Sequence, residues 1–119
     1  MLKKLKLSDE YYFEEGCHIV EVSNSADDED VSIARARVAK GQRTRWHYLL
    51  DTTERYVILE GSGLVELGSE EPLSVAAGDV VIIPANTRQR IRNTGEADLL
   101  FLAICSPRFR KKNYREGSD

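Results

Sequence analysis

The stretch that most restricts what this chain can fold into runs from Gly41 to Gly61, GQRTRWHYLLDTTERYVILEG. Two alternating segments are joined by the polar turn Leu50-Asp51-Thr52-Thr53, and a glycine closes each end. Strand side chains alternate between faces, so Arg43, Arg45, His47 and Leu49 share one face, and Trp46 and Tyr48 take the other. In the second segment Glu54, Tyr56 and Ile58 lie together, with Arg55, Val57 and Leu59 opposite. Folding the segments back on each other brings His47 to Glu54, an imidazole beside a carboxylate.

A second run, Gly78 to Asn93, reads GDVVIIPANTRQRIRN. A turn glycine leads into an apolar strand, Asp79 to Ile83, whose unbroken hydrophobicity predicts burial on both faces. A Pro-Ala-Asn turn and a strand carrying Gln89 follow. Together the two runs resemble the paired motifs of the cupin superfamily, G-x5-H-x-H-x3/4-E-x6-G and G-x5-P-x-G-x2-H-x3-N. Gly41, His47, Glu54 and Gly61 keep the first motif; Gly78, Pro84 and Asn93 keep the second. Leu49 stands where the family has its second histidine, Gln89 where it has its third, and Asn86 where it has glycine. Asparagine tolerates a left-handed turn, so the last change is benign. The motifs span a little under half of the chain and are of the small single-domain, cupin 2 type.

The resemblance implies a double-stranded β-helix (jelly-roll) barrel. Family cupins hold one divalent transition metal inside that barrel through three histidines and a glutamate. Carried over by position, the ligands are His47, Glu54 and Gln89, with zinc, iron, manganese or nickel as the ion. Leucine cannot coordinate and an amide oxygen is a weak donor, so a metal-free alternative stands beside this one. In it the three side chains form a hydrogen-bonded polar cluster. Small cupins also pair, which implies a homodimer.

The rest of the chain supports the same class independently. Gly16 to Ser23, Val31 to Ala39, the segment after Gly61, Leu73 to Ala76 and Leu99 to Cys105 read as short strands punctuated by turns. No stretch keeps a helical period for long. That pattern predicts an all-β sandwich or barrel. At 119 residues the chain is one domain. The barrel core is expected over about 16–106, between a flexible N-terminal arm, 1–10, and a charged C-terminal tail, 107–119, that frays unless Phe109 and Tyr114 pin it. His18 reads as a half-buried edge residue, with a role as an extra ligand as the alternative. The acidic tract 24–30 lacks the glycine and distal glutamate of a calcium loop.

A net charge of −3 argues against a general nucleic-acid binder. No apolar run is long enough for a membrane span, and the lysine-rich start lacks a signal-peptide core. The expected setting is cytoplasmic, with Cys17 and Cys105 as reduced thiols.

His47 and Glu54 are the candidate catalytic residues. Arg35, Arg37 and Arg45, with Tyr56 and Gln89, are the candidate substrate-binding residues, because guanidinium groups match carboxylate or phosphate. A small anionic ligand is therefore expected. Three functions fit: a metal-dependent dioxygenase or isomerase, a metal-free epimerase-like enzyme, or a non-catalytic sensor barrel.

Overall fold

Among the described residues, eleven strands account for the fold. In chain order they are β1 (Tyr11–Phe13), β2 (Cys17–Ser23), β3 (Ser32–Val38), β4 (His47–Leu49), β5 (Thr53–Glu60), β6 (Ser62–Leu67), β7 (Leu73–Ala76), β8 (Val80–Ile83), β9 (Gln89–Asn93), β10 (Leu99–Ser106) and β11 (Tyr114–Glu116). The computed structural model describes residues 1–117. The strands form two antiparallel sheets, ordered β1-β2-β3-β10-β5-β8 and β11-β4-β9-β6-β7. Three-residue 3-10 turns, Leu7–Asp9 and Lys111–Asn113, are the helical pieces among the described residues. The expected all-β jelly-roll architecture is what the chain adopts.

Alternation drives the packing. On β5, Glu54, Tyr56 and Ile58 are buried while Leu59 is exposed. Ile58, Ile83, Ile91, Leu99, Val38 and Val65 fill the space between the sheets. Each such aliphatic contributes about 1.5–3 kcal/mol through lost water contact. Polar interior residues gather elsewhere between the same sheets: His47, Glu54 and Gln89 are all buried.

The segments of His47 and Glu54 do not make the expected hairpin. β4 pairs with β9 and β11, whereas β5 pairs with β10 and β8. Residues 50–53 instead carry the chain from one sheet to the other. A crossing suits this sequence because both segments have one apolar face, and two such faces bury more by facing each other than by lying side by side. The second-motif turn clamps the crossing: the Asn86 side-chain oxygen accepts from the Asp51 amide at 3.0 Å. Asn86 sits at φ 66°, the left-handed conformation its place in the motif requires.

β8 is not buried on both faces. Val81 and Ile83 point inward, but Val80 is 57% and Ile82 64% exposed. It is the end strand of its sheet, and among the described residues no layer covers its outer face. In the C-terminal segment Phe109 and Tyr114 make the pinning contacts that the sequence offered as the alternative to fraying. Residues 107–117 dock along the barrel, with β11 paired to β4 so that Tyr114 lies opposite Leu49 and Glu116 opposite His47. Phe109 and Tyr114 supply the apolar anchors, and the Phe109 amide donates to Ser32 Oγ at 2.8 Å. The last two residues of the predicted tail, 118–119, lie outside the described residues.

Candidate functional site

A cavity between the sheets has a water-sized interior of about 50 Å³ and opens to solvent through a wider mouth. His47 and Leu49 reach it from β4, Glu54 from β5, Ala34 from β3 and Cys105 from β10. Glu15 enters from the turn before β2, Tyr114 from β11, and Phe109 from the segment before it.

His47 is fixed at both ring nitrogens. Nδ1 lies 2.7 Å from the Arg45 carbonyl oxygen, which can only accept, so Nδ1 carries a proton. Nε2 lies 2.8 Å from Glu15 Oε2. Burial pushes the imidazole toward the neutral form, but the Glu15 charge and hydrogen bond outweigh it, and the His47 pKa rises from 6.5 to about 9. Burial raises Glu15 in turn, and the imidazolium more than reverses this, leaving its carboxyl below the ordinary value. The pair is an imidazolium–carboxylate at neutral pH. Cys17 Sγ donates to the other Glu15 oxygen at 3.2 Å, and burial beside that charge holds its thiol protonated.

Glu54 is the opposite case. Burial and the Glu15 charge raise its pKa from 4.5 to about 7, against the lowering effects of His47, the Gln89 amide and the Cys105 thiol. Cys105 Sγ approaches Glu54 Oε2 at 3.8 Å. Among the described residues, Glu54 Oε1 and Tyr114 Oη are buried without a hydrogen-bond partner. Two carboxyls in one pocket are thus pushed apart, one held ionised and the other poised near neutrality. Such a split assigns acid and base roles.

Of the residues singled out from sequence, His47 and Glu54 meet in the cavity, with Leu49 on its wall. Gln89 is interior and lies opposite His47 in the β4–β9 register. Its side-chain oxygen accepts from the Tyr56 hydroxyl. Both are buried behind the cavity lining. The arginines are elsewhere. Arg35 and Arg37 project from the outer face of β3 and pair with Glu10 at 3.4 and 2.7 Å. Their inward neighbours on the strand are Ala34 and Ala36, so strand parity alone sends them out. Arg45 is exposed and reaches Glu116 at 3.7 Å. His18 is also outside, edge-on to Tyr12 at 5.1 Å.

Glu15, Tyr114 and Phe109 were missed. Glu15 sits beyond both motifs, in the turn before β2. Its place over β4 is set by a long-range backbone bond, Arg45 N to Glu15 O at 2.6 Å.

Residues 34–105, more than half of the chain, match the cupin domain family, Cupin_2. This chain is a cupin. An uncharacterised protein of Methanocaldococcus jannaschii is 38% identical over 76 residues, 64% of this cupin and 60% of that relative. The match therefore spans about three fifths of that relative's length. KdgF from Halomonas sp. superposes with a TM-score of 0.80 at 20% identity, covering 94% of this chain and 97% of that one. The Streptomyces nucleoside dehydratase Pac13 gives 0.78 at 18%, covering 98% and 92%. A predicted oxalate decarboxylase of Thermotoga maritima gives 0.72 at 24%, covering 82% and 90%. These likenesses are of fold.

Cupins often bind a divalent metal, but the donors here do not fit one. Leu49 occupies a ligand position, the free face of His47 is spent on Glu15, and the Gln89 oxygen is spent on Tyr56. Among the described residues, no group of three or more His, Cys, Asp or Glu side chains is arranged to hold an ion. No helix among them is long and apolar enough to cross a membrane.

Proposed function

We propose that this cupin is a metal-independent acid–base enzyme that moves a carbon-bound proton on a small oxygenated anion, in an isomerisation, epimerisation or elimination of water. One observation carries the reading: Glu54 Oε1 is a buried, unpartnered carboxyl atom that titrates near neutrality beside a fixed imidazolium–carboxylate pair. As carboxylate, Glu54 takes the proton; as the acid so formed, it returns it to a neighbouring carbon or to a departing hydroxyl. His47 stays protonated and offsets the charge that builds up on substrate. Glu15 keeps it so. Pac13 supplies a precedent for dehydration on this fold.

The anionic class rests on the outer basin next to the cavity. Arg108, Arg110 and Lys111 line it, together with Phe13 and Phe109 from the inner pocket. Arg108 and Arg110 share one acid, Glu29, and Glu21 is the one acid on the basin's lining, which leaves its three basic groups in excess. Arg110→Ala combined with Lys111→Ala should weaken binding of an anionic substrate about tenfold.

The test is hydrogen exchange. A panel of small hydroxy-carbonyl acids is incubated with the protein in D2O and a chelator, and C–D formation is followed by NMR. Exchange should persist under chelation and disappear in Glu54→Gln. Exchange that is lost with the chelator and restored by metal would contradict the reading.

Assembly follows from the same fold. Val57, Leu59, Val80 and Ile82 lie on the outer face of adjacent strands β5 and β8, and the last three are exposed. A face this apolar marks a contact surface, and we propose a homodimer through it. Sedimentation should show a dimer at tens of micromolar, and Ile82→Lys should yield a monomer.

A further inference from the structure

The interior cavity and the outer basin adjoin: Tyr11, Phe13, Glu21, Asn24 and Phe109 line both. They differ in size, the interior offering about 50 Å³ and the basin about 410 Å³. A water molecule takes about 30 Å³ of the liquid. The interior therefore admits one or two heavy atoms of a ligand, and the basin takes the rest. Phe13 and Phe109, edge-on at 6.2 Å, give the shared wall an apolar surface.

Charge divides the two parts as sharply. The interior holds the Glu15 and Glu54 carboxyls, and its basic group, His47, is already bound to Glu15 at 2.8 Å. The basin carries Arg108, Arg110 and Lys111. Its arginines are held from outside: Arg108 donates to Asn24 Oδ1 at 3.1 Å and to Glu29 at 3.2 Å, and Arg110 reaches Glu29 at 2.8 Å. The Asn24 amide in turn donates to the Phe109 carbonyl at 3.0 Å and to Glu21 at 3.1 Å, which ties this rim to the shared wall. Glu29 and Glu21 offset two of the three bases and leave one positive charge. A carboxylate matches that single charge, and guanidinium groups suit its geometry. Moving an anion inward would trade these bases for two buried carboxyls, at a desolvation cost. The charged end of a ligand stays in the basin, and an uncharged end goes in.

We propose that the substrate is an unbranched, open-chain carboxylic acid whose reacting hydroxyl or carbonyl lies at the end remote from its carboxylate. This rests on the acid–base reading above and names its substrate class and the end that reacts. The carboxylate rests against Arg110 and Lys111, and the chain crosses the Phe13–Phe109 wall. A terminal hydroxyl donates to Glu54 Oε1, the buried acceptor that has no partner among the described residues. Size admits that terminus only if it is small, and charge fixes which end enters.

Isomeric hydroxy acids test this, because the two isomers share mass, charge and functional groups. γ-Hydroxybutyrate, δ-hydroxyvalerate and ε-hydroxycaproate are compared with their α-hydroxy isomers by calorimetry on the full chain. At the length that fits, the end-hydroxylated acid should bind at least about tenfold tighter than its isomer. Arg110→Ala combined with Lys111→Ala should weaken that acid about tenfold and leave the matching uncharged diol within about twofold. Two methyl branches on the hydroxyl carbon should abolish binding, and Leu49→Ala, which enlarges the interior, should restore it. Isomers that bind alike at every length, or no binding of any acid at millimolar concentration, would overturn the proposal. So would a branched acid that binds the parent as well as the straight chain does, or a loss in the double variant that the diol shares. A phosphate-ended chain that binds about tenfold tighter than the carboxylate would overturn the carboxylate. Proton exchange lost in Glu54→Gln, together with isomers that bind alike, would sink this inference and leave the acid–base reading standing. A preference for the end hydroxyl with no exchange in any compound of the panel would do the reverse.

Discussion

Two ion pairs with the same 2.8 Å separation show how differently one contact behaves in two parts of this molecule. His47 and Glu15 meet inside the barrel, where the histidine side chain is 2% exposed. Arg90 and Glu66 meet on the outer face of the second sheet, at 17% and 24% exposure. The outer pair has water, salt and Trp46, whose ring lies 4.3 Å from the Arg90 guanidinium, as further partners. The inner pair has low-dielectric surroundings and few alternatives, so each member sets the other's protonation. Only the inner pair can hold chemistry, because only there does moving one proton change the charge of the whole pocket.

The largest contrast is expected in turnover. Glu54→Gln keeps the size of the side chain and removes its proton, and should lower the exchange rate by about 10²–10⁴. Glu66→Gln should leave the rate unaltered. A rate in Glu54→Gln within threefold of the parent would break the distinction.

Stability should separate the pairs next. Glu15→Gln leaves His47 buried without its carboxylate, and should cost about 2–3 kcal/mol in urea unfolding. Glu66→Gln or Glu10→Gln should cost less than about 1 kcal/mol, since exposed pairs contribute little. The inner pair also carries a pH signature. His47 is raised from 6.5 to about 9 in the fold, so its contribution is fully present below 6.5 and is lost as pH rises through 9. Glu54, raised to about 7, likewise favours the fold at low pH and gives up that contribution between 4.5 and 7. The urea midpoint should therefore fall between pH 6.5 and 9.5, and that fall should be absent in His47→Gln.

Much of this contrast is legible in the amino-acid pattern alone. Two spaced motifs specify the barrel, and strand alternation puts His47, Glu54, Tyr56 and Gln89 inside. Parity also sends Arg35 and Arg37 outward, because Ala34, Ala36 and Val38 are the residues small or apolar enough to face the core. What parity does not carry is which distant segment closes the pocket. Glu15 and Tyr114 lie 32 and 67 positions from His47 in sequence, and neither belongs to a motif. Their positions depend on backbone pairings, Glu15 to Arg45 and β11 to β4, that no local pattern announces. The crossing between sheets at 50–53 is hidden for the same reason. A short polar turn looks alike whether it folds a hairpin or spans a sandwich.

A smaller effect concerns the altered motif. Leu49 is 4% exposed and lies two residues from His47 on the same face. Leu49→His should restore a nitrogen donor beside His47, Glu54 and Glu15. Zinc affinity by calorimetry should rise about tenfold or more over the parent, roughly 1.4 kcal/mol. Parent and variant binding zinc equally tightly would show that the present side chains already make a metal centre.

The central claim is that a His47–Glu15 pair charged at neutral pH sits beside a Glu54 that titrates near neutrality. Heteronuclear NMR of the intact protein, with labelled histidine and glutamate, reads both groups in one pH series. Assignment would come from His47→Gln and Glu54→Gln. The His47 ring nitrogens should stay protonated through pH 8 and titrate at about 9, while the Glu54 carboxyl carbon should shift around pH 7. A His47 that loses its proton at or below 6.5, with Glu54 already ionised at pH 5, would contradict the claim.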